Sequence, residues 1–264
     1  EGFLGTCSTY GSFSYLKYGP MRLFSQVAQD SELKIGRLLW IAGHSGPETA
    51  EDSRTHFGIF APGVTQLFPD GQVINLHPWE HNEVAPAVGA ALATDVPIIA
   101  LHLTRPPITI PDRGALEMPS HLEAAKGAYI IRDYERNKDK EGTVIIRGTS
   151  ATNSMMGLLS RLKEEGPNIK VVAAISWGLF MRQTKHYQEQ VLSKWDWGNS
   201  MIVANQAYRL MQDWIGTRAN KQYAITPDWD NRWRTGGSVE EIIEESHLDA
   251  EHIWEGMLLF AKRK

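Results

Sequence analysis

The chain has 264 residues and a formal net charge of −4, with 27 Lys and Arg against 31 Asp and Glu, a balance that excludes a nucleic-acid binder working mainly through basic charge. A single cysteine, Cys7, cannot close an internal disulfide, which sets a reducing, cytoplasmic compartment as the expectation. No apolar run approaches the roughly 18–20 residues that span a bilayer, so no membrane partner is expected.

Glu1 to Thr6 show no initiator methionine and no basic stretch before an apolar one, so the expectation is no signal peptide and something missing upstream. Residues 38–42, Leu-Leu-Trp-Ile-Ala, read as a buried strand. It opens into a polar loop, 43–56, that carries His44, Glu51, Asp52 and His56. A strand ending in such a loop is how α/β proteins bring reactive groups to the carboxyl edge of a sheet. Further buried strands are expected at 73–76, 96–101, 143–146 and 171–175. Helical patterns fall at 80–93 and at 152–165, where Gly166-Pro167 is a stop signal. The cluster His77-Pro78-Trp79-Glu80-His81 has no third metal ligand at a suitable spacing and reads as a structural helix start. The proline-rich run 105–114 reads as a connection between two units, and 133–141 as a solvated charged loop. A final amphipathic helix is expected over 249–262, with Asp249 as its cap. Alternating strands and helices imply an α/β protein of two three-layer units with mainly parallel sheets. The expected division is 1–112, a linker and lead-in over 113–142, and 143–264.

The loop resembles the signature loop of transketolases, where a strand ends in Thr-His-Asp-Ser and runs on to Gly-Glu-Asp-Gly-Pro-Thr-His. Here His44 is followed after eight residues by Asp52 and after four more by His56, with Glu51 and Thr55 also in place. Tyr10-Gly11-Ser12-Phe13 and Met21-Arg22-Leu23 resemble the segment where the family sets aromatics around the thiamine aminopyrimidine. Tyr10 and Phe13 fall on two of those positions and Leu16 on the third, with Tyr15 and Tyr18 nearby. Leu103-Thr104-Arg105 stands where the family has Ser-Arg. Gly127 to Leu192 follows the order of its carboxyl-terminal domain, including Gly148-Thr149-Ser150 in place of a Gly-Thr-Gly-Ser turn. Two features depart from the pattern. Ser53-Arg54 replaces Gly-Pro in the loop, and the chain holds neither the upstream glutamate nor the Gly-Asp-Gly diphosphate motif.

The resemblance implies a partial pyrimidine-binding domain followed by a transketolase carboxyl-terminal domain. It implies thiamine diphosphate as cofactor, with Mg or Ca held by another domain and no metal ligand in this chain. His56 and His44 would act catalytically, Asp52 and Arg105 would bind substrate, and Tyr10 and Phe13 would face the cofactor. The implied reaction moves a two-carbon ketol unit between sugar phosphates in the pentose phosphate pathway. It takes place in a homodimer or a complex with a diphosphate-binding domain. A non-catalytic or regulatory relative, and another thiamine enzyme such as a 1-deoxyxylulose-5-phosphate synthase, remain open alternatives.

Overall fold

Apolar runs become the inner strands of two sheets. The structure is a computed structural model that describes residues 2–32, 35–234 and 236–263. The first sheet joins β1 (Phe3–Tyr10), β2 (Gly36–Gly43), β3 (Val73–Leu76) and β4 (Ile98–His102) in the order β1-β2-β4-β3, with every pair parallel. The second joins β5 (Ala128–Arg132), β6 (Gly142–Arg147), β7 (Ile169–Ala174) and β8 (Ser200–Ala204) in the order β5-β7-β6-β8. Here β6, β7 and β8 are parallel and β5 is an antiparallel edge strand. This first strand of the second sheet lies inside the stretch 113–142 that the sequence presents as linker and lead-in.

Helices cover the sheets. In the first unit these are α1 (Tyr18–Asp30) and α2 (Val84–Leu92), the latter entered through a 3-10 turn that begins at His81. In the second unit α3 (Thr149–Glu164) is followed by three short helices, α4 (Trp177–Phe180), α5 (Lys185–Val191) and α6 (Lys194–Gly198). The chain then forms α7 (Arg218–Gln222), α8 (Val239–Glu245) and α9 (Ala250–Ala261). Asp249 caps α9 as its sequence position suggests, accepting from the N–H groups of Glu251 and His252 at 3.0 and 3.2 Å.

Strand side chains alternate between faces, and the alternation sorts the core. Leu39, Ile41, Ile99 and Leu101 of the first sheet share one cluster with Val144, Ile146, Val171 and Ala173 of the second. Helices α2, α3 and α9 pack into that same cluster, so the two units are joined by a continuous apolar interior. The opposite faces have separate cores, built on Trp40, Ala42, Ile98 and Ala100 in the first unit and on Ile145, Val172, Ile202 and Trp214 in the second.

A buried polar knot ties the connecting segment down. Arg113 donates from Nη2 to Glu80 at 2.9 Å and to Glu83 at 2.8 Å, and both carboxyl side chains are buried. The Tyr129 hydroxyl also donates to Glu83 and accepts from Trp79 Nε1 at 2.8 Å. The proline-rich run is therefore anchored at Arg113 to the start of α2 and to β5.

Candidate active site

Parallel strands bring their carboxyl ends to one edge, and the first sheet sets its reactive groups there in strand order. Tyr10 closes β1, His44 follows β2, Arg105 lies beyond β4, and His77 follows β3. His44 takes a left-handed backbone at φ 62°, a region open to histidine but uncommon for it, and this turns the chain sharply out of β2. The turn is pinned by the Ser45 N–H, which donates to the Leu103 carbonyl at 2.9 Å. The Thr49 hydroxyl donates to the His56 carbonyl at 2.6 Å, which folds the loop back on itself. Ser53 caps the short turn Arg54–His56 by accepting from the Thr55 N–H at 3.4 Å.

The residues singled out in the sequence converge. Asp52 Oδ2 lies 2.8 Å from His56 Nδ1 and 3.9 Å from His44 Nε2. Both ring nitrogens are buried and lack an aligned hydrogen-bond partner, so these contacts are electrostatic rather than directed bonds. Tyr10 stacks on His56 at 4.5 Å and 21°, and meets His44 edge-on at 4.3 Å. Phe13 stands edge-on to both Tyr10 and His56 at 6.3 Å. Arg105 pairs with Glu51 and lies 3.8 Å from Asp52. Burial, then the neighbouring His56 and Arg105, hold the His44 pKa below the usual histidine range, against the pull of Asp52. His44 is therefore neutral at neutral pH.

At the third aromatic position, Leu16 points to solvent, 81 % exposed. Neighbouring Tyr15 and Tyr18 turn away to donate to the Phe60 and Leu67 carbonyls at 3.1 and 3.5 Å.

Among the described residues, His44, Asp52 and His56 are the one group of three whose donor atoms fall within 4.8 Å of one another. Two imidazoles and a carboxylate suit a first-row transition metal, but the Arg105 guanidinium beside Asp52 opposes a second positive charge there.

Sequence reasoning did not single out Glu48. It lies in the same loop but is fully buried, and its carboxyl accepts from Thr104 Oγ1 at 2.9 Å, Ser150 Oγ at 3.0 Å and Asn205 Nδ2 at 3.3 Å. Ser150 opens α3 and Asn205 follows β8, so Glu48 fastens the histidine loop to the second unit. Nothing in the local sequence marks it, because its partners are 102 and 157 residues away.

Fold and site together define a two-unit α/β protein with a His–Asp–His loop at the carboxyl edge of a parallel sheet. Comparison with known proteins narrows the class. Residues 127–226 match the family described as transketolase-like TK C-terminal domain. Transketolase 7 of Craterostigma plantagineum is 29% identical over 195 residues, which cover 72% of this chain and 26% of that protein. Among solved structures, transketolase from Leishmania mexicana superimposes with a TM-score of 0.78 at 16% identity, covering 99% of this chain and 34% of that one. A Pichia stipitis transketolase in complex with sedoheptulose 7-phosphate gives 0.74 at 21% identity, covering 97% and 34%. The chain is similar to transketolases in sequence and fold, and it spans a quarter to a third of the length of these relatives.

The cytoplasmic expectation is corrected by other similar proteins. A second one from Craterostigma plantagineum, and those from Solanum tuberosum, Spinacia oleracea and Zea mays, are named chloroplastic. A lone cysteine reports only that no disulfide framework is needed and does not distinguish one reducing compartment from another.

Proposed function

We propose that this chain forms part of the active site of a thiamine-diphosphate-dependent transketolase that moves a two-carbon ketol unit between sugar phosphates. The observation that carries the reading is the convergence of His44, Asp52 and His56 beneath the exposed aromatic pair Tyr10 and Phe13. This arrangement fits the cofactor. The two aromatic rings offer an apolar surface to a heteroaromatic ring, and the His44 Nε2, which has no hydrogen-bond partner, calls for a polar one. Thiamine diphosphate, when bound, supplies the carbanion chemistry that breaks and remakes the carbon–carbon bond.

The residues of this chain handle protons and position the sugar. Neutral His44 and its neighbour His56 hold or accept a proton at substrate hydroxyl and carbonyl oxygens. Asp52 accepts a hydrogen bond from a sugar hydroxyl, and so helps select its stereochemistry. Arg105, partly exposed at the loop's rim, offers its guanidinium to the sugar phosphate. The cofactor's diphosphate and metal would be held by a diphosphate-binding domain, with the enzyme working as a homodimer or a larger complex. The domain division 1–112, 113–142 and 143–264 belongs to this proposal, with β5 counted in the second sheet.

The test assays the full assembly with a panel of ketose phosphates against pyruvate, for the unaltered protein and for His56→Ala. We expect ketol transfer from ketose phosphates and a loss of about 10²–10⁴-fold in His56→Ala with the fold intact. Unchanged turnover in the variant would refute the role of His56. Consumption of pyruvate would move the enzyme to the 1-deoxyxylulose-5-phosphate synthase type.

A further inference from the structure

Away from the histidine loop, a cavity of about 340 Å³ opens between the two units. Its floor is made where the carboxyl ends of the two sheets meet. Asn75 and His77 come from the end of β3, Arg147 from the end of β6, and Ser176 from the cap of α4.

Arg147 is 6 % exposed. Its guanidinium donates from Nε to Gln206 at 2.8 Å and from Nη2 to the Leu210 carbonyl at 3.0 Å. Among the described residues no carboxylate oxygen comes within 4.0 Å of it. Burial lowers its pKa to about 9, so the group is still a cation at neutral pH. A buried charge without a counter-ion is a costly arrangement, and proteins normally match it with a partner.

Its neighbours on the cavity floor also keep polar atoms without partners. His77 is buried and stacked on His102 at 4.4 Å, and its Nδ1 has no hydrogen-bond partner. The carboxamide oxygen of Asn75 already accepts from His102 Nε2 at 3.0 Å, which leaves its NH₂ group as a donor. The Ser176 hydroxyl accepts from the Leu179 N–H at 3.3 Å, so its proton is free to be given.

We propose that this cavity binds the oxyanion group of a small solute, a phosphate or a carboxylate, with buried Arg147 as the charged anchor and Asn75, His77 and Ser176 around it. At the rim, Arg182 adds a positive charge, while Asp70 and Asp213 add negative ones. Asp213 acts on Arg147 only from beyond ion-pair distance. The rim acids favour a singly charged group over a doubly charged one. The site shares no residue with the His44–Asp52–His56 group and stands whether or not ketol transfer is the reaction.

The test titrates the whole chain with inorganic phosphate and, separately, with acetate, by calorimetry and by the NMR signals of the His77 ring. Saturable binding of either ion that shifts those signals supports the site, and the ion that saturates identifies the group. Arg147→Gln is expected to abolish binding, and Arg182→Glu, on the exposed rim, to weaken it several-fold. Should Arg147→Gln fail to fold, Arg182→Glu decides alone. The proposal is overturned if neither ion saturates, or if binding is unchanged in the folded variants, which would mark an adventitious ion only.

Discussion

Replacing Glu48 separates what its shape does from what its charge does. In Glu48→Ala, the amide of Asn205 loses its acceptor and cannot swing elsewhere, whereas the Thr104 and Ser150 hydroxyls can rotate. One orphaned buried donor costs about 1–3 kcal/mol. The lost Cγ methylene adds about 0.8 kcal/mol. The sum is about 2–4 kcal/mol, or a fall in Tm of about 4–16 °C at roughly 2–4 °C per kcal/mol for a chain of this size. Glu48→Gln keeps the shape and one acceptor and removes the charge. Burial raises the Glu48 pKa from 4.5, against the pull of its own backbone N–H and of Thr104, Ser150 and Asn205. The folded protein therefore keeps this proton at pH values where the unfolded chain has released it. This contribution to stability falls as pH rises above about 4.5 and levels off past the folded pKa. Glu48→Gln lacks that loss, so relative to the unaltered protein it should gain stability between pH 5 and pH 8. Urea unfolding followed by tryptophan fluorescence at the two pH values measures the difference directly. A Glu48→Gln variant as unstable as Glu48→Ala at both would refute the reasoning, because the ionised carboxylate would then be what holds the loop to the second unit.

Two further outcomes follow from buried groups. Burial, reinforced by Arg147, pushes the His102 pKa down from 6.5 to about 3. The unfolded chain takes up a proton that the folded chain refuses, so stability should fall by about 1.4 kcal/mol per pH unit as pH drops through that window. His102→Gln should flatten the slope of stability against pH between 6.5 and 4 in urea titrations, and an unchanged slope would count against the assignment. Arg113→Met should destabilise by about 3–5 kcal/mol at pH 8, because it strands the buried carboxyls of Glu80 and Glu83. Burial pushes the Glu83 pKa up to about 7, so the loss should shrink at pH 5.5, where that carboxyl takes a proton. A loss below 1 kcal/mol at pH 8 would refute it.

Inner strands were legible because their residues are apolar on both faces. Residues 143–146 lie within β6 and 171–175 cover all but the first two residues of β7, while 73–76 match β3, an edge strand marked by its apolar Val, Ile and Leu. The edge strand β1 was not, since its sequence Phe-Leu-Gly-Thr-Cys-Ser-Thr-Tyr mixes small and polar residues and most of its side chains meet solvent. Strand β8 escaped because Ser-Met-Ile-Val-Ala is short and follows the polar, tryptophan-rich run of α6. At the site, local spacing was enough to group His44, Asp52 and His56, which one loop supplies. The long-range partners were not readable. Glu48 and Arg147 owe their settings to residues on other elements, and burial of a charged side chain leaves no local trace in a sequence.

The left-handed turn at His44 shapes which changes the protein can tolerate. A Cβ added to Gly11 would come within 2.6 Å of the His44 carbonyl oxygen, and one added to Gly58 would overlap that same oxygen. Neither glycine has a group that could do chemistry, yet any side chain at either position must displace the residue that begins the histidine loop. In a survey of every single substitution, positions 11 and 58 should therefore group with 44, 52 and 56 rather than with other glycines. Inheritance of this loop constrains five positions together, two of them silent in chemistry.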